Sequence, residues 1–198
     1  MIEFLNNSNE KPFVLFKKYY KKASLLNENN IEAAVISSYS QEKKEVDSRF
    51  VNIKALDNKE FIFFTNYNSQ KAIQFYSHEQ VSIIFFWRSV NVQVRIKAKI
   101  KKLSEHISDI HFKTRSIDKN ALAISSQQSK IIDSYKSVQN NYNSVKKNKD
   151  LTLRPDYWGG YCFKPYYFEF WEGHSSRINK RKALRRMGET WEQYYLQP

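Results

Sequence analysis

The strictest hydrophobic pattern in the chain lies between Val90 and Leu103. Val92, Val94, Ile96, Ala98 and Ile100 fall on one face, and Asn91, Gln93, Arg95, Lys97 and Lys99 on the other. That period of two belongs to a strand with one face buried. It predicts a strand over 90–103, paired with another over 81–87. Upstream, Pro12 followed by Phe13, Leu15, Phe16, Tyr19, Tyr20 and Ala23 predicts an amphipathic helix with proline in its first turn, ending before Asn27-Glu-Asn-Asn30. Strands are expected over 31–38, 48–55 and 61–65, the last two joined by the turn-like Asp57-Asn-Lys59, with a short helix over 69–77. Ser104 is placed to cap a helix running to about Arg115, and helices over 119–126 and 130–145 follow. Beyond a polar connector at 146–155, strands are expected over 158–163, 166–171, 177–181 and 191–196. Many short strands with a few helices predict an α+β, mainly β, closed barrel. No repeat or linker divides the 198 residues, so one domain over 1–198 is expected.

Composition refines this only slightly. Hydrophobic residues at 41% and aromatics at 16% suffice for a core. The net charge of +13 comes from lysine pairs scattered along the chain, such as Lys17-Lys18, Lys43-Lys44 and Lys101-Lys102, without a nucleic-acid motif. They read as solvated surface, and no nucleic-acid partner is expected. Cys162, the lone cysteine, cannot form an internal disulfide and reads as a buried, inert thiol in a reducing compartment. The N-terminus lacks the charged and apolar regions of a leader, and no run reaches the length of a membrane span. A soluble, cytoplasmic protein is therefore expected. His78 and His106 have no metal-ligand spacing, His174 reads as a turn residue, and no metal is expected.

The candidate chemistry is densest in Phe168–Arg181. Alternation runs into Trp171, breaks at Gly173-His-Ser-Ser176 and is expected to resume with Arg177 and Arg181 facing one way along an extended run. An indole beside two guanidinium groups suits a flat, anionic ligand such as a flavin or a pyridine phosphate.

This run resembles the C-terminal signature of the pyridoxamine 5'-phosphate oxidase family. Glu169, Phe170, Trp171, Arg177, Ile178 and Arg181 match, while Asn179 stands where the family has histidine and Lys180 where it has an acid. The resemblance extends from about Pro12 to Pro198, with the family's dimerisation segment at about 158–198. Further blocks occur in the family's order: Arg49-Phe50-Val51-Asn52-Ile53-Lys54, then Phe63-Phe64-Thr65-Asn66-Tyr67-Asn68-Ser69-Gln70-Lys71, then Gln128-Ser129. The resemblance implies a split β-barrel homodimer with peripheral helices and FMN at the subunit interface.

By the same resemblance, FMN would meet the Arg49–Asn52 strand, Lys54, Phe64, Thr65, Gln70 (in place of an arginine), Lys71, Gln93, Gln128, Ser129, Trp171 and Arg181. The substrate phosphate would meet Lys54 and Arg115, with His111 in place of a tyrosine and Lys119 in place of a serine. Arg177 would lie over the substrate ring as the catalytic residue, beside Asn179. The implied reaction oxidises pyridoxamine or pyridoxine 5'-phosphate to pyridoxal 5'-phosphate, with O2 as acceptor and H2O2 as product. His111, Lys119 and Asn179 keep two alternatives open: a related flavin oxidase of the phenazine-biosynthesis type, and a non-catalytic flavin or pyridoxal phosphate binding protein.

Overall fold

The computed structural model describes residues 1–198. Its centre is a ten-stranded sheet made of β1 (Glu3–Leu5), β2 (Ala33–Ser40), β3 (Glu45–Asn52), β4 (Ala55–Asp57), β5 (Glu60–Asn66), β6 (Gln80–Trp87), β7 (Val92–Lys102), β8 (Trp158–Glu172), β9 (Lys180–Met187) and β10 (Thr190–Leu196). The main ladder runs β1-β4-β5-β8-β7-β6-β2-β3, and the β9–β10 hairpin branches from β8. The alternation in β7 is borne out, since Val92, Val94, Ile96, Ala98 and Ile100 are all buried. Five helices, α1 (Lys11–Leu25), α2 (Gln70–Ser77), α3 (Glu105–Thr114), α4 (Ile117–Ser125) and α5 (Tyr135–Asn148), complete the chain. None is long and apolar enough to cross a membrane.

The expected single strand over 48–55 is two strands. At Ile53–Lys54 the backbone changes partners: the Ile53 N–H still donates to Glu32 in the β2 approach, whereas the Lys54 N–H donates to Ile62 of β5. Alternation continues through Val51, Ile53 and Ala55, so the pattern alone gives no sign of the change. The ladder is not hydrogen-bonded from β3 to β5. The sheet is closed by the covalent continuity of β3 into β4, which makes the barrel a split one. The Lys54 carbonyl also accepts from Glu3, which recruits β1, a three-residue strand too short to show a pattern.

Other boundaries differ as well. The two strands expected at 158–163 and 166–171 are one strand, β8, because Tyr166 bulges where the register with β7 shifts beside Pro165. The strand expected from Arg177 begins only at Lys180; Arg177 has φ of 61° and closes a turn by donating its N–H to the His174 carbonyl. The last helix starts at Tyr135 rather than 130, where Ser134 accepts from the Ser137 N–H. Ser104 caps α3 as expected, accepting from Ile107 at 3.4 Å.

Helix α1 closes the barrel by burying Phe13, Phe16, Tyr20 and Ala23 along one stripe. Phe16 is fully buried, with its ring edge-on to Phe61, Phe85 and Trp87 at 4.9, 5.1 and 5.5 Å. Phe16→Ala should therefore cost about 3–5 kcal/mol of folding stability, measured by equilibrium denaturation against the unmodified chain.

Candidate functional site

The partner change at Ile53–Lys54 opens a cavity of about 470 Å³, a normal volume for a small-molecule site. The end of β3 contributes Phe50, Val51 and Asn52, the corner Lys54, and the end of β5 Phe64 and Thr65. Lys71 enters from α2, His111 from α3, Arg115 and Lys119 from the α3–α4 corner, Gln128 from the following loop and Trp158 from the start of β8. No Asp or Glu lines it.

Its aromatic wall depends on missing side chains. Phe64 faces Gly160 in the β5–β8 ladder, and a Cβ there would lie 3.0 Å from the Phe64 ring and 2.6 Å from Leu103. With that space kept, the His111 imidazole lies parallel to Phe64 at 3.7 Å between centroids, and Trp158 lies parallel to Phe64 at 5.5 Å. The Arg115 guanidinium sits 4.3 Å from the centre of the Trp158 ring. Two braces hold α3 and α4 in place. Arg154 joins Asp109 of α3 at 2.6 Å to the Trp158 carbonyl at 2.7 Å, and Asn120 donates to the carbonyls of Phe112 and Leu151.

The cations are poorly compensated. Lys71 is buried and donates only to two hydroxyls, Thr65 Oγ1 at 3.2 Å and Ser69 Oγ at 3.3 Å. Burial, reinforced by Arg49 nearby, pulls its pKa down to about 8. Burial lowers Arg115 to about 10, and its Nη1 is buried without a hydrogen-bond partner. His111 is pushed down to about 4 by burial, then by Arg115 and Lys54, so it is neutral at pH 7. Burial also lowers Lys54, with Lys119 and Arg115 adding to the effect against Glu32. Cations desolvated in this way and lacking carboxylates fit an anionic ligand with phosphate groups. An aromatic wall beside them fits a ring system.

Arg49 sits behind Lys71. Its guanidinium donates to Ser38 Oγ at 2.6 Å, to Gln74 Oε1 at 3.2 Å and to the Asp47 carbonyl at 3.1 Å, with the Asp47 carboxylate 3.7 Å away. Gln70 does not line the cavity; its amide donates to that carboxylate at 2.9 Å.

A second cluster lies on the outer face of the sheet. Gln93 pairs with Trp171, and Trp171 with Arg181, so these three form one row across β7, β8 and β9. Beneath the row, Glu169 is buried and binds Arg181 at 2.8 Å, Arg95 at 3.1 Å and the Tyr167 hydroxyl at 3.0 Å. Those partners hold its carboxyl below the usual range despite burial, and Arg181 is fixed beside Trp171. Arg177 and Asn179 lie in the turn between β8 and β9, where Asn179 Oδ1 accepts from the His174 N–H.

Of the residues expected to act together, the cavity gathers Phe50, Val51, Asn52, Lys54, Phe64, Thr65, Lys71, His111, Arg115, Lys119 and Gln128. Gln93, Trp171, Arg181, Arg177, Asn179 and Ser129 do not line it. The sequence reading passed over Trp158, whose signal is an aromatic directly before two glycines at a strand start. It also passed over Asp47, an acid two residues before Arg49 on the same strand face.

Comparison with known proteins agrees with this division of the chain. A family model described as pyridoxamine 5'-phosphate oxidase matches residues 23–149, and one described as the pyridoxine 5'-phosphate oxidase C-terminal dimerisation region matches residues 158–198. The pyridoxine/pyridoxamine 5'-phosphate oxidase of Legionella pneumophila (strain Lens) is 36% identical over 189 residues, covering 94% of this chain and 87% of that protein. The protein of that name from Haemophilus influenzae is 34% identical over 194 residues, covering 98% and 92%. Among solved structures, PhzG from Burkholderia lata 383, in complex with tetrahydrophenazine-1-carboxylic acid, superposes with a TM-score of 0.88 at 23% identity, covering 96% of this chain and 93% of that one. A pyridoxamine 5'-phosphate oxidase-related, FMN binding protein from Nostoc punctiforme gives 0.78 at 11%, covering 95% and 98%. With one family model on the cavity-bearing part and another on the C-terminal strands, the chain belongs to the pyridoxine/pyridoxamine 5'-phosphate oxidase family, a family of FMN-dependent split-barrel oxidoreductases.

Proposed function

We propose that this chain is an FMN-dependent oxidase of pyridoxamine and pyridoxine 5'-phosphates, acting as one domain over residues 1–198 and as a homodimer. Pyridoxine 5'-phosphate and O2 would give pyridoxal 5'-phosphate and H2O2; the amine additionally consumes water and releases ammonia. The observation that carries this reading is the cavity lined by Lys54, Lys71, Arg115 and Lys119 without a carboxylate. Two phosphate-bearing molecules, a cofactor and a substrate, would compensate those charges.

The phosphate of FMN is assigned to Lys71, Arg49 and the start of α2, where no side chain caps the first turn. FMN, when bound, accepts a hydride equivalent from the substrate and passes the electrons to oxygen. The substrate phosphate is assigned to Arg115, Lys54 and Lys119, with neutral His111 donating one N–H while stacked on Phe64. These residues bind and orient the substrate, and the barrel wall shields the ring from water. The Gln93–Trp171–Arg181 row ends at Phe86 of β6, which is exposed and paired with Gln93. An exposed aromatic at the end of a row that also carries Trp171 suits contact with a second copy. Such a copy would bring this row, with Arg177 as the catalytic residue and Asn179, to the cavity of its mate. The buried lone thiol of Cys162, pushed up to about 12 by burial, suits work in the cytoplasm.

A related flavin oxidase with another substrate is the second reading, favoured by His111, Lys119 and Asn179 in the substrate positions. Anaerobic mixing of the FMN-loaded protein with pyridoxamine 5'-phosphate separates the two. Bleaching of the oxidised-flavin absorbance, reversed by oxygen with peroxide release, is the expected outcome. A flavin that stays oxidised would favour another substrate or a binding role.

The Arg115 assignment predicts that Arg115→Met raises KM for pyridoxamine 5'-phosphate roughly tenfold or more, with kcat changed much less, because uniform binding is removed. Steady-state kinetics would reveal a failure as a fall in kcat at constant KM. The Lys71 assignment predicts a pH dependence of FMN affinity. Below pH 8 Lys71 is already protonated; above it, binding must take up a proton. Affinity should be flat from pH 6.5 to 7.5 and fall by up to about tenfold per unit well above pH 8. Flavin fluorescence titrations would test this, and Lys71→Met should flatten the profile.

A further inference from the structure

Asp47 is an acid bound to Arg49 and Gln70 behind the proposed phosphate corner, and neither the family resemblance nor the cavity lining assigns it a role. Its carboxylate lies 3.7 Å from Arg49 Nη2 and accepts from the amides of Gln70, at 2.9 Å, and Gln74. Gln74 Oε1 in turn accepts from Arg49 and from the Ser38 hydroxyl. Arg49, Gln74, Ser38 and Asp47 thus form one closed network, with Arg49 only 20% exposed. On the cavity side the neighbouring cation is Lys71, which has no carboxylate partner among its contacts.

These contacts give Asp47 two opposite effects on an anion bound at Lys71. It orients Arg49 through the network, which favours binding. Its negative charge offsets that of Arg49, which opposes binding of a second negative group nearby. Gln70, spent on Asp47, contributes no charge of its own. The geometric effect is redundant, because Arg49 is also held by Ser38 Oγ, Gln74 and two backbone carbonyls. The charge effect has no such substitute.

We infer that Asp47 is a charge-setting residue that weakens the hold of this site on the phosphate of its flavin, and so limits its preference for FMN over the unphosphorylated riboflavin. The inference rests on the assignment of FMN to this cavity.

Asp47→Asn tests it, because the amide oxygen can still accept from Gln70 and Gln74 while the charge is gone. Full-length protein stripped of flavin is titrated with FMN and with riboflavin, following quenching of flavin fluorescence at low ionic strength. The variant should bind FMN roughly three- to tenfold more tightly, leave riboflavin affinity within about twofold, and lose most of the difference in high salt. Asp47→Glu, which keeps the charge, should show no gain. If the Asn variant does not fold, Asp47→Ser serves for the same comparison. Unchanged or weaker FMN binding in the neutral variant, or an equal gain for riboflavin, would overturn the inference and leave the cofactor assignment standing. Failure of the unmodified chain to bind FMN at all would overturn both.

Discussion

The exchange of hydrogen-bond partners at Ile53–Lys54 is the constraint on which the remaining architecture depends. A strand that stayed with β2 would leave the edge of β5 opposite β8 unpaired and the sheet open. By crossing to β5 within two residues, the chain closes the barrel covalently, draws β1 onto its edge and leaves a gap in the ladder between β3 and β5. The cavity occupies that gap. Lys54 sits in the corner itself, so the residue that makes the barrel close also contributes a cation to the site.

The corner also explains what the sequence could and could not disclose. Inward and outward alternation depends on the pleat, which β3 and β4 share across the junction, so Val51, Ile53 and Ala55 read as one strand. Partner identity passes from Glu32 at the approach to β2 to Ile62 of the following hairpin strand, and nothing in the alternation marks where the exchange occurs. For the same reason β7 was fully legible, because its alternation meets one continuous neighbour on each side over most of its length. Arg177 misled in the opposite way. Its spacing from Arg181 fits an extended run, but the side chains of His174 and Asn179 offer the backbone nearer partners, and the turn extends to Asn179.

For the site, residue types and family likeness identified the cavity's cations, and the structure supplied their context. That His111 is a stacked, neutral imidazole follows from Gly160 leaving room for Phe64, a relation between strands 96 residues apart in sequence position from Phe64 to Gly160. That Gln70 is directed to Asp47 rather than to the cavity follows from the pairing of β3 beside α2. Neither fact is visible from local sequence, because each depends on a contact formed only when the barrel closes.

The buried cations carry a cost that the fold meets elsewhere. Lys71 and Arg115 lose hydration on folding and regain only hydroxyl, carbonyl and aromatic contacts, so each is less stable charged than it would be in water. Relief by local collapse is prevented by rigid surroundings: the Arg154 and Asn120 braces hold α3 and α4, and the aromatic core holds the barrel. Free energy left unsatisfied in this way is available to a ligand that brings negative charge, since binding restores what folding removed. The outer-face row behaves differently. Arg181 there shares Glu169 with Arg95, so its charge is partly met within the chain, and Trp171 and Phe86 are the aromatics of that row left to make contact. One region therefore has no carboxylate lining it, while in the other a single buried carboxylate serves two arginines. The cavity is thereby the more demanding of the two for negative charge, while the aromatic residues of the row suit packing.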